Sequence, residues 1–237
     1  MLLALDAADR LARLLEERGR VSLDEAANQL LALHRSSGAA ISLMRAALAG
    51  DARFALTSPG WVEFAPLPAA ETPLAGARFA VLDLETSGLS TETGHIVEAA
   101  CVRVSQGTIV AERMVCSRPK VSDTALEEVM ALARGAVVVG HNLSFDIRFL
   151  DARLRLLHGA RLASPVVDTL ALARRLLRGR AERLTLSALA DFFGTASTPE
   201  HRALPDARAT AEVLMALVEL ALDEGARTVA DLCALSR

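Results

Sequence analysis

The chain has 237 residues, 52% of them hydrophobic, and a formal net charge of −3. That length holds one large domain or two modest ones, each with its own core, and the balance of charge excludes a global basic field that would gather nucleic acid from a distance. No run of 18 apolar uncharged residues is present and Met1–Leu5 is too short for a secretory core, so no membrane partner and a cytoplasmic location are expected.

Three helices are expected first. Leu11, Leu14 and Leu15 give Ala7–Arg18 one apolar face. Ser22 and Glu25 form a capping-box signature that opens a second helix, Leu23–His34, and a third covers Ala39–Ala49. Arg53–Thr57 and Trp61–Phe64 alternate around the turn signal Ser58-Pro59-Gly60 and read as a hairpin. Three helices followed by a hairpin resemble a winged helix, which makes residues 1–66 a small α+β domain. It carries seven arginines against eight acids, a poor balance for gripping phosphates, which favours a protein contact or docking within the chain. Ala65–Ala77 is rich in Pro and Ala without an amphipathic period, so residues 67–77 read as a linker to a second domain, 78–237.

Phe79–Leu84 reads as a buried strand that runs into the turn residues Ser87-Gly88. Ile96–Val104 and Thr108–Cys116 are neighbouring strands joined at Gln106-Gly107, and a two-residue hairpin there would set Cys101 opposite Glu112. That register keeps Cys101 and Cys116 apart. With Cys233 the sole other cysteine and no CxxC, neither a disulfide framework nor a zinc site is expected. A helix at Ala125–Ala133 and a buried strand at Ala136–Gly140 follow. Ser144 is placed to cap a helix running to His158, with Gly159 as its stop. Pro165–Val167 is the last strand, Asp168–Leu177 and Leu184–Phe193 are helices, and Pro205 fits the first turn of a long helix to Glu224. Asp168 is read as a helix cap and His141 as a turn former. Arg174, Arg175, Arg178, Arg180 and Arg183 are read as a solvated face.

Chemistry concentrates where these elements meet polar turns. Side chains alternate along a strand, so Asp83 and Glu85 share one face. Two carboxylates that close repel unless a cation or a shared proton offsets them. Hard divalent ions prefer such oxygens, which points to an acidic metal site at the carboxyl end of a central strand. Asp146, His201 and Asp206 add two more carboxylates and an imidazole at later boundaries.

The order and spacing of these residues resemble the DEDDh exonucleases, the DnaQ-like family that includes polymerase proofreading subunits. Its Asp-x-Glu-Thr-x-Gly-Leu motif is matched by Asp83, Glu85, Thr86, Gly88 and Leu89. His-Asn-x-x-Phe-Asp is matched by His141, Asn142, Phe145 and Asp146, and the terminal His and Asp by His201 and Asp206. The sister subfamily replaces that His by tyrosine, and this chain has no tyrosine. The resemblance spans Arg78–Glu224 and implies a ribonuclease-H-like α/β fold, a mixed sheet flanked by helices. It further implies two Mg²⁺ or Mn²⁺ ions held by Asp83, Glu85, Asp146 and Asp206, with His201 as the base. Thr86, Leu89 and Phe145 would lie against the terminal nucleotide.

The implied activity is 3′–5′ removal of nucleotides from single-stranded DNA ends, by two-metal phosphodiester hydrolysis. The alternatives are the same chemistry on RNA 3′ ends, or an adaptor whose nuclease fold is inactive; the intact five residues argue against the last. A DNA polymerase or another protein is the expected partner of residues 1–66. One departure concerns the cleft: the His-Gly-Ile segment common in the family is missing, because Arg118-Pro119 runs straight towards a helix.

Overall fold

The computed structural model describes residues 2–30, 38–49, 53–57, 60–66 and 69–237, and divides into two compact units, 1–66 and 67–237. The first contains α1 (Leu2–Arg18), β1 (Arg20–Ser22), α2 (Leu23–Leu30), α3 (Gly38–Ala49), β2 (Phe54–Thr57) and β3 (Trp61–Phe64). Its strands form an antiparallel sheet in the order β1-β3-β2. The sequence reading lacked β1, since three residues are too few for alternation to register. Leu11, Leu15, Val21, Met44, Phe54 and Val62 build a core within this unit. Ser22 Oγ accepts the Glu25 N–H at 3.1 Å, as its capping role requires, while the Glu25 carboxylate pairs with Arg18. Gly60, at φ +108°, closes the hairpin by donating its N–H to Thr57 O. Ser58, Pro59 and the end expected for the second helix, up to His34, lie outside the described residues.

The second unit opens with β4 (Arg78–Thr86), β5 (Ile96–Ser105) and β6 (Thr108–Cys116), an antiparallel meander. Then come α4 (Asp123–Ala131), β7 (Val137–Gly140), α5 (Ser144–His158), β8 (Val166–Asp168), α6 (Thr169–Leu176), α7 (Leu186–Phe193), α8 (Ala203–Asp223) and α9 (Val229–Leu235). The sheet order is β6-β5-β4-β7-β8, with β7 parallel to β4 and β8 parallel to β7. Apolar residues of β4 feed both faces in turn. Phe79 and Val81 join the core under α6 to α9, whereas Ala80, Leu82 and Leu84 join the core under α4 and α5. A five-stranded mixed sheet in this order, with helices on both faces, is the ribonuclease-H-like arrangement.

Four local readings change. A bulge between Arg103 and Val104 moves the β5–β6 register by one, so Cys101 faces Arg113 and Glu112 faces Val102. The cysteines are free all the same. Ser144 is the first residue of α5 rather than its cap; the cap residue is Leu143, without a side-chain bond. The segment read as linker is knit into the second unit. Leu74 and Ala77 are buried in its core, Leu74 N–H donates to Arg227 O, and Pro73 bridges Thr228. Its partner there is α9, an element the sequence reading left out although Thr228 and Asp231 form a reciprocal capping box at its start.

Among the described residues no helix is long and apolar enough to cross a membrane.

Candidate active site

The α8 face of β4 carries Phe79 and Val81 into the core and then, two and four residues on, Asp83 and Glu85 at its rim. Strand alternation places both acids on that face, and α8 brings Asp206 to them from its first turn. One carboxylate oxygen from each of Asp83, Glu85 and Asp206 lies within 4.8 Å of the others. Asp146 arrives differently. The β4–β7 pairing covers only Phe79–Val81, so the Leu84 N–H has no strand partner on the β7 side. Asp146 Oδ1 accepts that N–H at 3.0 Å, satisfying a buried donor and fixing a buried carboxylate beside the acidic pair. Gly140 makes room at the end of β7: a Cβ there would sit 3.2 Å from Leu82 O and 2.6 Å from Leu143 Cδ1.

Crowded, partly dehydrated acids resist ionising together. The Asp83 carboxyl is pushed up to about 8, first by burial and then by Asp146, Asp206, Glu85 and Glu98. Burial raises Asp146 to about 7 against the pull of the Leu84 N–H, with Glu85 and Asp168 adding to the rise. Glu85 is raised by burial, Asp206 and Glu98, and is held back by His201 and Arg202. The cluster is short of positive charge, and its donors are oxygens. Both properties fit a hard divalent cation such as Mg²⁺ or Mn²⁺.

His201 is exposed and has φ +57°, a left-handed conformation that a residue with a Cβ holds only when its neighbours over-determine it. Glu200 N–H donates to Asp206 Oδ1 at 2.7 Å on one side of it. On the other, Arg202 Nε and the Ala203 N–H donate to Glu98 Oε2 at 2.9 and 3.4 Å. Glu98 is buried on β5, directly across the sheet from Glu85, and it also accepts from Cys116 Sγ at 3.5 Å. Burial would raise its carboxyl; the bonds from Arg202, Ala203 and Cys116 outweigh that and hold it below the usual range.

Thr86 and Leu89 occupy the turn after β4. Thr86 Oγ1 donates to Gly88 O at 2.8 Å, and Leu89 stands 84% exposed on a loop closed by paired bonds between Ser87 and His95. Phe145 sits next to Asp146 and packs on Phe149, with ring centres 5.1 Å apart. His141 Nδ1 lies 3.0 Å from Thr169 Oγ1 at the start of α6, and burial lowers the ring's proton affinity. Asp168 caps α6 through Leu170 N–H and does more. It also accepts the Asn142 and Leu143 N–H groups at 3.0 and 3.2 Å, holding the left-handed turn at Asn142 that leads into Asp146. Sequence reasoning passed over Glu98. The signal available was an acid inside the otherwise apolar run Ile96–Val102.

A ribonuclease-H-like sheet with clustered carboxylates at the end of its central strand defines a nuclease-type α/β protein. The family model described as exonuclease, of the RNase T type, matches residues 108–214. A Mycobacterium tuberculosis protein that bears a bifunctional exonuclease/endonuclease name is 36% identical over 70% of this chain and 30% of its own length. The PolC-type DNA polymerase III of Thermotoga petrophila is 31% identical over 61% of this chain and 12% of its own. The DNA polymerase III subunit epsilon of Aquifex aeolicus is 28% identical over 60% of this chain and 80% of its own. Among solved structures, exonuclease X in complex with 5′ overhanging duplex DNA aligns with 67% of this chain and 99% of its own, at 25% identity and a TM-score of 0.49. The second unit of this chain is thus similar to exonucleases of the DnaQ-like kind. The matched part of this chain spans 30% and 12% of the length of the first two relatives.

Proposed function

We propose that the chain is a divalent-metal-dependent 3′–5′ exonuclease that removes nucleotides from single-stranded DNA ends. The observation that carries this reading is the meeting of Asp83, Glu85 and Asp206 within 4.8 Å, in a chain whose residues 108–214 match an exonuclease family model. Asp83, Glu85 and Asp206, with Asp146 beside them, would hold the cations. When bound, these supply Lewis-acid polarisation of the phosphate and offset the carboxylate charge. His201, on an exposed turn next to Glu85, takes a proton from the attacking water, for which an imidazole is suited near neutral pH. The water oxygen bonds to phosphorus and the bond to the 3′ oxygen breaks, that oxygen taking up a proton from solvent. A nucleoside 5′-monophosphate leaves, and the shortened strand keeps a free 3′-hydroxyl. Thr86 and Leu89 present the turn against which the terminal nucleotide rests, with Phe145 beside it.

For residues 1–66 the reading is a winged-helix module that meets a protein. Its balance of seven arginines against eight acids and the 60% exposed Leu43 on α3 support that reading over duplex binding. The polymerase names borne by relatives make a DNA polymerase the partner to test first.

The deciding experiment gives the purified protein 5′-labelled DNA and RNA oligomers of equal sequence, with Mg²⁺, Mn²⁺ or EDTA. A descending ladder on DNA that needs metal and stops at a blocked 3′ end is the expected result. A ladder on RNA alone moves the substrate to RNA, and equal cleavage of a closed single-stranded circle rejects the exonuclease reading.

A further inference from the structure

Glu98 is an acid in an unfavourable place. It lies on β5 opposite Glu85, and like charges directly across an antiparallel pair destabilise a sheet. It is buried, in a strand whose other residues from Ile96 to Val102 are apolar. Burying a carboxylate is costly unless donors satisfy it. The donors are Arg202 Nε and the Ala203 N–H, the two residues that follow His201. The Ala203 N–H is one of the unpaired donors at the start of α8, and Arg202, its cap residue, offers no side-chain bond to the helix. The buried carboxylate thus does for this helix start what a cap would do, while holding the arginine beside it.

The consequence falls on His201. Its left-handed backbone is bracketed by the Glu200–Asp206 bond before it and the Glu98 bonds after it. The first bracket ties the turn to α8, and the second ties it to the sheet. Resting on the proposed exonuclease reading, we infer that Glu98 is a positioning residue. It acts through Arg202 and Ala203 to hold the His201 imidazole at the carboxylate cluster, and it touches neither substrate nor cation.

The test is a two-by-two set: wild type, Glu98→Ala, His201→Ala and the double variant, assayed on a short 5′-labelled oligomer at saturating Mg²⁺, with thermal melts alongside. Glu98→Ala is expected to lower kcat about ten- to a hundredfold, with KM and the Mg²⁺ midpoint within about threefold of wild type. In the His201→Ala background the same change is expected to cost less than twofold, because the group it positions is gone. Glu98→Gln keeps the shape and one acceptor oxygen but drops the charge that holds Arg202. It is expected to lose about three- to tenfold in kcat, and it replaces Glu98→Ala in the cycle if the latter does not fold. Multiplicative losses in the double variant, a shift confined to KM or to the Mg²⁺ midpoint, or a wild-type kcat in Glu98→Gln would each overturn the inference. Failure of the underlying reading looks different: wild type would be inactive, or His201→Ala would turn over like wild type.

Discussion

At the scale of single residues, the acids at the end of β4 are poised between protons and cations. Asp83 and Asp146 bind protons more tightly in the folded protein than in an unfolded chain, where an aspartate titrates near 3.8. The folded state therefore takes up the extra protons, and its stability falls as pH rises. For Asp83 the loss runs from about 4 to about 8, and for Asp146 from about 4 to about 7. Divalent cations bind the ionised form and reverse the trend. Melts in EDTA are expected to show a lower Tm at pH 8.5 than at pH 6, and the rise in Tm on adding Mg²⁺ is expected to be larger at pH 8.5. Asp83→Asn removes one of the crowded charges. It is expected to raise the metal-free Tm at pH 8.5 while abolishing hydrolysis, a trade of stability for function; a lowered Tm would contradict the electrostatic account. His201→Ala is expected to reduce turnover by about 10²–10⁴-fold, the range of a positioned acid–base group. Its metal-induced rise in Tm should match wild type, and turnover within threefold of wild type would remove His201 from the chemistry.

At the scale of elements, strand ends and helix starts do the positioning. Gly140 ends β7 where β4 passes, and a methyl group there would press on Leu82 O and on the buried Leu143. Gly140→Ala is expected to cost about 1–3 kcal/mol, as overpacking does, read as a drop in denaturant midpoint. Activity should fall too, since the same turn leads into Asp146. Much of this arrangement was legible in the sequence. Asp83 and Glu85 follow from alternation, Asp146 and Asp206 from the motifs of the exonuclease resemblance, and Gln106-Gly107 from hairpin chemistry. What was not legible depends on residues far apart. Glu98 gains its meaning from Arg202, 104 positions later. Asp168 looks like a local cap until its bonds to Asn142 and Leu143 are seen. The β5–β6 register slipped because a bulge adds a residue that no turn signal announces. The linker reading changes because Leu74 and Ala77 look unpatterned, and only their burial in the core of the second unit gives them a structural role.

At the scale of the whole molecule, each unit carries its own core: one cluster in residues 11–64 and two in the later unit, from Leu74 onward. A chain truncated to residues 69–237 is therefore expected to fold and to degrade short oligomers. One beginning at residue 78 loses the buried Leu74 and Ala77 and the bonds to Arg227 and Thr228, and its Tm is expected to be several degrees lower. Equal melting of the two would show that the 69–77 segment adds nothing. The Pro73–Thr228 bridge reaches further than stability. It sets the entry of the second unit beside the start of its last helix, α9, like the two posts of one doorway. A unit built that way can be spliced into a single loop of a larger host without prising the host apart, and its own ends can be joined and reopened at an exposed turn such as Gln106-Gly107.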